Sequence, residues 1–456
     1  MIKKVSSVSK TLGQLLDKVG QKFLRPQEKG KKKPSSCPTT DQSQNSEKKV
    51  LMFGWELPPF NSGGLGVACY ELASSLSAKN ARITFVLPKK QNITTPFMKV
   101  DFAESEEDLR ARGVRVKEID SPLTPYLNTA SYQKKRLFDH WNWFQKHKYG
   151  GELVDEVYRY GRAAAKIAKR EKFDVIHAHD WLSYPAGMMA QKLSKKPFVA
   201  HVHALEFDRC MEHSVNPAIC KIEYEGLHAA DKVIAVSDYV KKRIVKYYKV
   251  SEKKIEVVHN GIKIDKAPKR QVSLKSLKSG GHKLALFVGR LTYQKGVDYL
   301  IKAAAKALTV NKKINFMIVG SGDMERQIIR EAAAMGISDR VFFPGFLRNT
   351  ELERIYQSAD LFIMPSVSEP FGLVALEALA NKVPVIVSKQ SGVAEVINHS
   401  LKVDFWNTEE LANMIAAACT YPTLRKSLAD YGYKEAKACT WDAAALKCLQ
   451  VYNSFA

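Results

Sequence analysis

From Val50 onward the chain alternates two kinds of apolar pattern. Short runs rich in β-branched and aromatic residues, "VLMFG" (50–54), "RITFVLP" (82–88), "DVIHAH" (174–179), "PFVAHVH" (197–203), "KVIAVS" (232–237) and "IEVVHNG" (255–261), read as buried strands. Stretches with apolar positions every three or four residues lie between several of them, notably Val67–Ala78 and Glu152–Lys169, and predict helices. A polar, basic segment containing Pro and Gly-Gly, centred on residues 266–282, reads as a hinge. A second series follows: "KLALFVG" (283–289), "INFMIVG" (314–320), "RVFFPG" (340–345), "DLFIMPS" (360–366) and "VPVIVS" (383–388). The chain closes on helices, the last opening near Thr440 and Trp441. Two βα series predict an α/β protein of two doubly wound parallel-sheet domains, residues 50–265 and 283–440. Ligands of such sheets sit at the carboxyl ends of strands, so the site is expected in the cleft between the domains.

The first 49 residues break this pattern. "KGKKKPSSCPTTDQSQNSEKK" lacks the apolar residues needed to fold and reads as a linker. Ahead of it Ile2, Val5, Leu12, Leu15, Leu16, Val19 and Phe23 recur at helical spacing among lysines, so residues 1–24 read either as a poorly ordered extension or as a basic amphipathic helix for an anionic membrane surface. Residues 1–49 hold twelve Lys/Arg against four Asp/Glu, part of a formal charge of +24 over 456 residues. Such a balance favours anionic partners without choosing between nucleic acid, membrane and phosphorylated metabolites. No run of apolar residues is long enough to span a bilayer, and no secretory signal opens the chain. The seven cysteines are scattered and read as free thiols of a cytoplasmic protein.

Four motifs carry candidate chemistry. "NSGGLG" (61–66) follows the first strand and opens a helix, where Gly63 and Gly64 let backbone amides approach an anion. "HAHDW" and "HVHALEFDR" end two neighbouring strands and bring His179, Asp180, His203, Glu206 and Asp208 to the cleft. The histidines invite a metal reading, which is set aside because strand alternation is expected to turn His177 and His201 the opposite way. "GRLTYQKG" (289–296) places Arg290 and Lys295 on one βα loop, suited to a pyrophosphate. "SEPFGLVALEALA" puts Glu369 in the loop after a strand and Glu377 on the following helix, with Pro370 suited to the helix start and Gly372 allowing close backbone approach. The helix N-terminus adds amides for a phosphate.

The ordered set "GGLG", "HAHDW", "VHALEFDR", "VVHNGI", "GRLTYQKG", "VGSGD" and "EPFGLVALEA" resembles the GT-B retaining glycosyltransferases of family four and the related glycogen and starch synthases. The resemblance implies two Rossmann-like domains and a final helix, 441–456, crossing back onto the first. It also implies residue roles. Gly63 and Gly64 would lie at the donor phosphates, Arg290 and Lys295 would neutralise the departing pyrophosphate, and Glu369 would hold sugar hydroxyls. Amides near Gly372, Leu373 and Val374 would bind phosphate, and Glu377 would accept from the ribose. His203 would touch the transferred sugar with Asp180 its neighbour, and Gly320 and Gly322 would pass under the nucleotide. Two departures bear on the acceptor. Asn61 stands where the bacterial glucan synthases carry lysine, and Glu377 is a glutamate that they generally lack.

The implied reaction is retaining transfer of a sugar, glucose by the motif wording, from a UDP- or ADP-sugar to a glycan. The chain has no DxD, so no metal is expected on the diphosphate and no cofactor is required. A glycolipid or cell-envelope glycan acceptor, met by a protein peripheral at a membrane, is the alternative within the family. A non-catalytic nucleotide- or sugar-binding protein is the alternative outside it. No specific nucleic-acid partner is expected.

Overall fold

The computed structural model describes residues 47–59, 63–88, 93, 95–102, 153–210, 214–264, 274 and 276–455. The basic extension before residue 47, Asn61, the aromatic segment 138–150 and most of the expected hinge lie outside them.

Two parallel sheets form the molecule. The first contains β1 (Lys48–Phe53), β2 (Ala81–Leu87), β3 (Lys99–Phe102), β4 (Val175–His179), β5 (Phe198–Val202), β6 (Lys232–Ala235) and β7 (Ile255–Val257), in the order β3-β2-β1-β4-β5-β6-β7. The second contains β8 (Lys283–Val288), β9 (Ile314–Val319), β10 (Val341–Gly345), β11 (Leu361–Met364), β12 (Val385–Ser388) and β13 (Leu401–Val403), in the order β10-β9-β8-β11-β12-β13. The apolar runs form strands because both faces of each sheet are covered: β4, β5, β9 and β11 are buried at every position. The covering helices of the first domain are α1 (Gly64–Ser77), α2 (Leu153–Arg170), α3 (Tyr184–Ser194), α4 (Glu206–Arg209), α5 (Pro217–Ala229) and α6 (Asp238–Tyr248). Those of the second are α7 (Val297–Val310), α8 (Glu325–Ala334), α9 (Asn349–Ser358), α10 (Leu373–Ala380), α11 (Thr408–Thr420) and α12 (Pro422–Ala438).

The final helix, α13 (Trp441–Asn453), leaves the second domain and packs on α1, as the resemblance implied. Thr440 Oγ1 caps it by accepting from Ala443 N at 3.2 Å. The turn is welded to the first domain where Ile262 N donates to Cys439 O at 2.8 Å. Gly261 is obligatory there, since a Cβ would lie 2.2 Å from Trp441 N.

The topology fixes where chemistry belongs. Strand order reverses between β1 and β4 in one sheet and between β8 and β11 in the other, and crevices open at such reversals. The four motifs singled out above follow β1, the pair β4 and β5, β8 and β11.

The structure also corrects details. Two edge strands, β3 and β13, had no counterpart in the apolar pattern. Helix α1 starts at Gly64 rather than Val67, and α10 starts at Leu373, three residues beyond Pro370. His177 and His201 do not turn away from His179 and His203. Residues two apart in a strand share a face, and all four rings stand together.

Candidate functional site

Two glycine-led helix ends meet in the cleft. Gly63 is the extended N-cap of α1, and Gly372, at φ +108°, is the N-cap of α10. Neither supplies a side-chain cap, so the first amides of both helices point outward with the positive end of the helix dipole. A Cβ placed on Gly64 would lie 3.7 Å from Leu373 Cδ1, which puts the two N-termini face to face. Glu56, buried just after β1, already accepts from Gly66 N at 3.2 Å and so occupies the third amide of α1. Gly372 has no substitute, because a side chain would be strained at this φ and would press on Met364 and Val393.

Beside these amides lies the loop after β8. Lys295 Nζ pairs with Glu369 Oε2 at 2.7 Å, and Ser366 Oγ donates to the same oxygen at 3.0 Å. The Glu369 backbone is held by Gln390 O, which accepts its N–H at 3.0 Å, and by a parallel bridge to Ser391. Gly296 allows this approach, since a Cβ there would lie 2.1 Å from Pro365 O. Arg290 is half-buried on the same loop. Gly320 and Gly322 have a nearer reason to be glycine than a nucleotide. A Cβ on Gly320 would lie 1.9 Å from Gly289 O, and one on Gly322 2.4 Å from Leu291 O. They let the loop after β9 pack against the strand that presents Arg290.

Glu377 sits on α10, where its Oε2 accepts from the Tyr356 hydroxyl at 2.9 Å. Burial raises its pKa above the ordinary carboxylate range, partly offset by that bond. Val374, with Leu373, lies in the first turn of the same helix, N-terminal to Glu377.

Across the cleft stands a block of four imidazoles. His177 Nε2 and His201 Nδ1 are 3.0 Å apart, as are His179 Nδ1 and His203 Nε2. The rings of His177 and His179 stack at 4.3 Å, and those of His201 and His203 at 4.2 Å. The Tyr452 hydroxyl of α13 closes the block on His177 Nδ1. Burial depresses all four, with His177 and His203 both lowered to about 3, so the block is neutral at physiological pH. His179 Nε2 and His201 Nε2 are buried without partners. His177, His179 and His201 offer ring nitrogens within 4.8 Å of one another, so the reason given for discounting a metal, opposed facing, does not hold. His203 is the half-buried member of the block; the other three are buried.

Asp180 follows β4 with φ +61°. Its Oδ1 accepts from His203 N at 2.6 Å and Ala204 N at 3.3 Å, and Oδ2 lies 3.6 Å from Arg209. Burial raises it to about 6 despite Arg209 and those amides. Its carboxylate is committed to holding the His203 loop. Glu206 is likewise buried behind the site, accepting from Asn216 N at 3.1 Å.

Asp208 joins the domains. Its Oδ1 accepts from Ser368 Oγ at 2.7 Å and pairs with Arg243 at 2.8 Å, while Ser368 Oγ and the Tyr239 hydroxyl are 2.9 Å apart. Ser237 Oγ donates to Pro370 O at 2.6 Å, and Glu395 accepts from Asp238 N and Tyr239 N at the start of α6. The "SEPFG" loop is thus held by the first domain as well as by its own sheet. Sequence reasoning missed Glu56, Tyr356 and Tyr452, which reach the site from elsewhere in the fold, and gave no role to Ser368 beside Glu369. Only Glu56, an acid directly after a buried strand, carried a local signal.

Family models match both halves of the chain: "Glycosyltransferase Family 4" over residues 62–266 and "Glycosyl transferases group 1" over residues 269–435. An uncharacterized glycosyltransferase of Methanocaldococcus jannaschii is 29% identical over 429 residues, covering 89% of this chain and 98% of its own. A glycogen synthase of Mycobacterium tuberculosis is 29% identical over 362 residues, covering 76% and 80%. The solved sucrose-phosphate synthase of Thermosynechococcus elongatus superposes with a TM-score of 0.71 at 20% identity, covering 90% of this chain and 99% of that one.

Proposed function

The chain belongs to the family-four, group 1 glycosyltransferases of GT-B fold, retaining enzymes that use nucleotide-sugar donors, and from that premise we propose that it transfers glucose from UDP- or ADP-glucose to a glucan. The observation that carries the reading is the convergence of the α1 and α10 N-termini with Lys295 and Glu369 at both topological switch points. A diphosphate seated between the helix ends would meet amides from Gly64, Leu373 and Val374 and the cations of Arg290 and Lys295. Lys295 is already bonded to Glu369, so one ammonium would bridge the leaving diphosphate and the carboxylate facing the sugar.

As the anomeric carbon–oxygen bond breaks, negative charge grows on the diphosphate and positive charge on the sugar ring. Arg290, Lys295 and the helix dipoles would stabilise the first, and Glu369 the second. The acceptor hydroxyl would attack from the face the diphosphate leaves, passing its proton to a departing phosphate oxygen. His203 would hold the sugar, positioned by Asp180 through its own backbone amide. Glu377 would accept from the ribose hydroxyls with Tyr356 fixing its rotamer. The Mycobacterium tuberculosis glycogen synthase, similar over three quarters of the chain, supports glucose and a glucan.

A thermal-shift screen of nucleoside diphosphates and their sugars tests the donor half. Stabilisation by UDP or ADP and their glucosides is expected. A response to neither, or only to a mannose or galactose donor, would refute the assignment.

A further inference from the structure

One surface feature is unused by the reaction described. Four aromatic side chains run outward from the loop that carries Arg290 and Lys295. Tyr293 lies between those two cations in sequence, with Tyr299 beside it in the first turn of α7. The Tyr299 ring meets Phe405 edge-on with centroids 5.1 Å apart, and Phe405 meets Trp406 edge-on at 4.8 Å. Trp406 ends the row, 58% exposed.

The row is rigidly held at the carboxyl-end rim of the second sheet. Phe405 and Trp406 follow edge strand β13, in a turn closed where Asn407 N donates to Asp404 O at 2.9 Å. Asp404 accepts from Gln390 Nε2 at 3.0 Å, and Gln390 O in turn accepts from Glu369 N. A side-chain and backbone path thus ties the aromatic row to the candidate sugar carboxylate. Gln390 Oε1 is buried without a partner.

The chemistry of this rim selects its occupant. Its charges are paired within the rim, Lys389 with Asp404 at 2.8 Å and Lys302 with Asp298 at 3.3 Å, so it offers no one-signed field for nucleic acid or anionic lipid. Edge-on rings leave apolar faces turned in successive directions beside fixed carboxylate, amide and hydroxyl groups. A neutral polyol chain, with apolar ring faces and hydroxyl edges, complements that alternation. We propose that Tyr293, Tyr299, Phe405 and Trp406 form a secondary site that holds a linear α-glucan outside the reaction centre and feeds it toward the cleft. The inference rests on the glucan reading given above and adds the place where a long acceptor is retained.

Trp406→Ala and Trp406→Phe test it with maltoheptaose as the probe, in affinity gels and by calorimetry. Trp406 is exposed, so neither change threatens folding. Retention of Trp406→Ala is expected to be about tenfold weaker than wild type, with Trp406→Phe keeping most of it, as loss of one aromatic contact face predicts. The KM for maltoheptaose should rise by a similar factor, while donor hydrolysis and transfer to maltose stay unchanged. Equal retention of Trp406→Ala and wild type, including retention of neither, would overturn the proposal. A change in sedimentation on Trp406→Ala would overturn it too, by assigning the row to a second copy of the chain. Failure of the donor reading shows separately, as absence of nucleotide-sugar hydrolysis in wild type.

Discussion

At the scale of single residues, the site divides labour by where each group sits relative to developing charge. On the proposed reading, Lys295 and Arg290 would face charge that appears only as the donor bond breaks. Replacing either by alanine is expected to lower kcat by about 100-fold or more, the size found for a lost donor at a developing oxyanion, with little change in melting temperature. Steady-state kinetics beside a melting curve checks this; wild-type turnover in both variants would remove the pyrophosphate assignment. Glu369→Gln should mainly lower kcat. Glu377→Gln should weaken the free nucleoside diphosphate by roughly 1.5–3 kcal/mol, the worth of bonds to a charged group. Titration of that diphosphate decides between them: unchanged affinity in Glu377→Gln assigns its carboxylate to Tyr356 alone. The residues were legible in sequence because each follows a strand. Their partners were not, since Tyr356 and Tyr452 come from other elements. The histidine facing failed for a simpler reason, a period of two read as a change of face.

At the scale of elements, α10 is the part on which donor binding would depend most in the proposed reading. Gly372→Ala forces a side chain into a left-handed conformation against Met364, at a cost of roughly 1–3 kcal/mol. The expected result is a lower melting temperature together with loss of the stabilisation that a nucleoside diphosphate confers on wild type. A variant that melts lower yet keeps its full ligand response would detach α10 from phosphate binding. Elements covered on both faces were visible in the sequence as unbroken apolar runs. The edge strands β3, "KVDF", and β13, "LKV", were not, because four and three residues of mixed polarity carry no readable period. The glycines of "VGSGD" were legible as special, but what they admit is the neighbouring backbone at Gly289 and Leu291.

At the scale of the whole molecule, α13 and the imidazole block make folding sensitive to acid. The four histidines are neutral when folded, and in the unfolded chain they take protons below about pH 6.5. Stability from them is complete above that pH and is lost as pH falls toward about 3, at about 1.4 kcal/mol per pH unit for each unmatched proton. Asp180, Glu377 and Glu223, a buried carboxyl on α5, act in the opposite sense. Burial raises all three, Asp180 to about 6 and Glu223 to about 8, so they favour the folded state at low pH and lose that contribution as pH rises through their raised values. Four imidazoles outnumber three carboxyls, so net destabilisation is expected between pH 6.5 and 4.5. Chemical denaturation across that range should show net proton uptake on unfolding, and a flat profile would place the histidines in water.

Activity, by contrast, is expected to persist in excess EDTA, because in the proposed reading cations of the protein would meet the diphosphate. Loss restored by magnesium would assign that role to a metal. The central claim, retaining glucosyl transfer in this cleft, is tested most directly by the stereochemistry of the product. NMR of the glycan made from α-linked UDP- or ADP-glucose should show a new α-anomeric proton and free nucleoside diphosphate in equal amounts. A β-linked product, or no transfer from either donor, would contradict it.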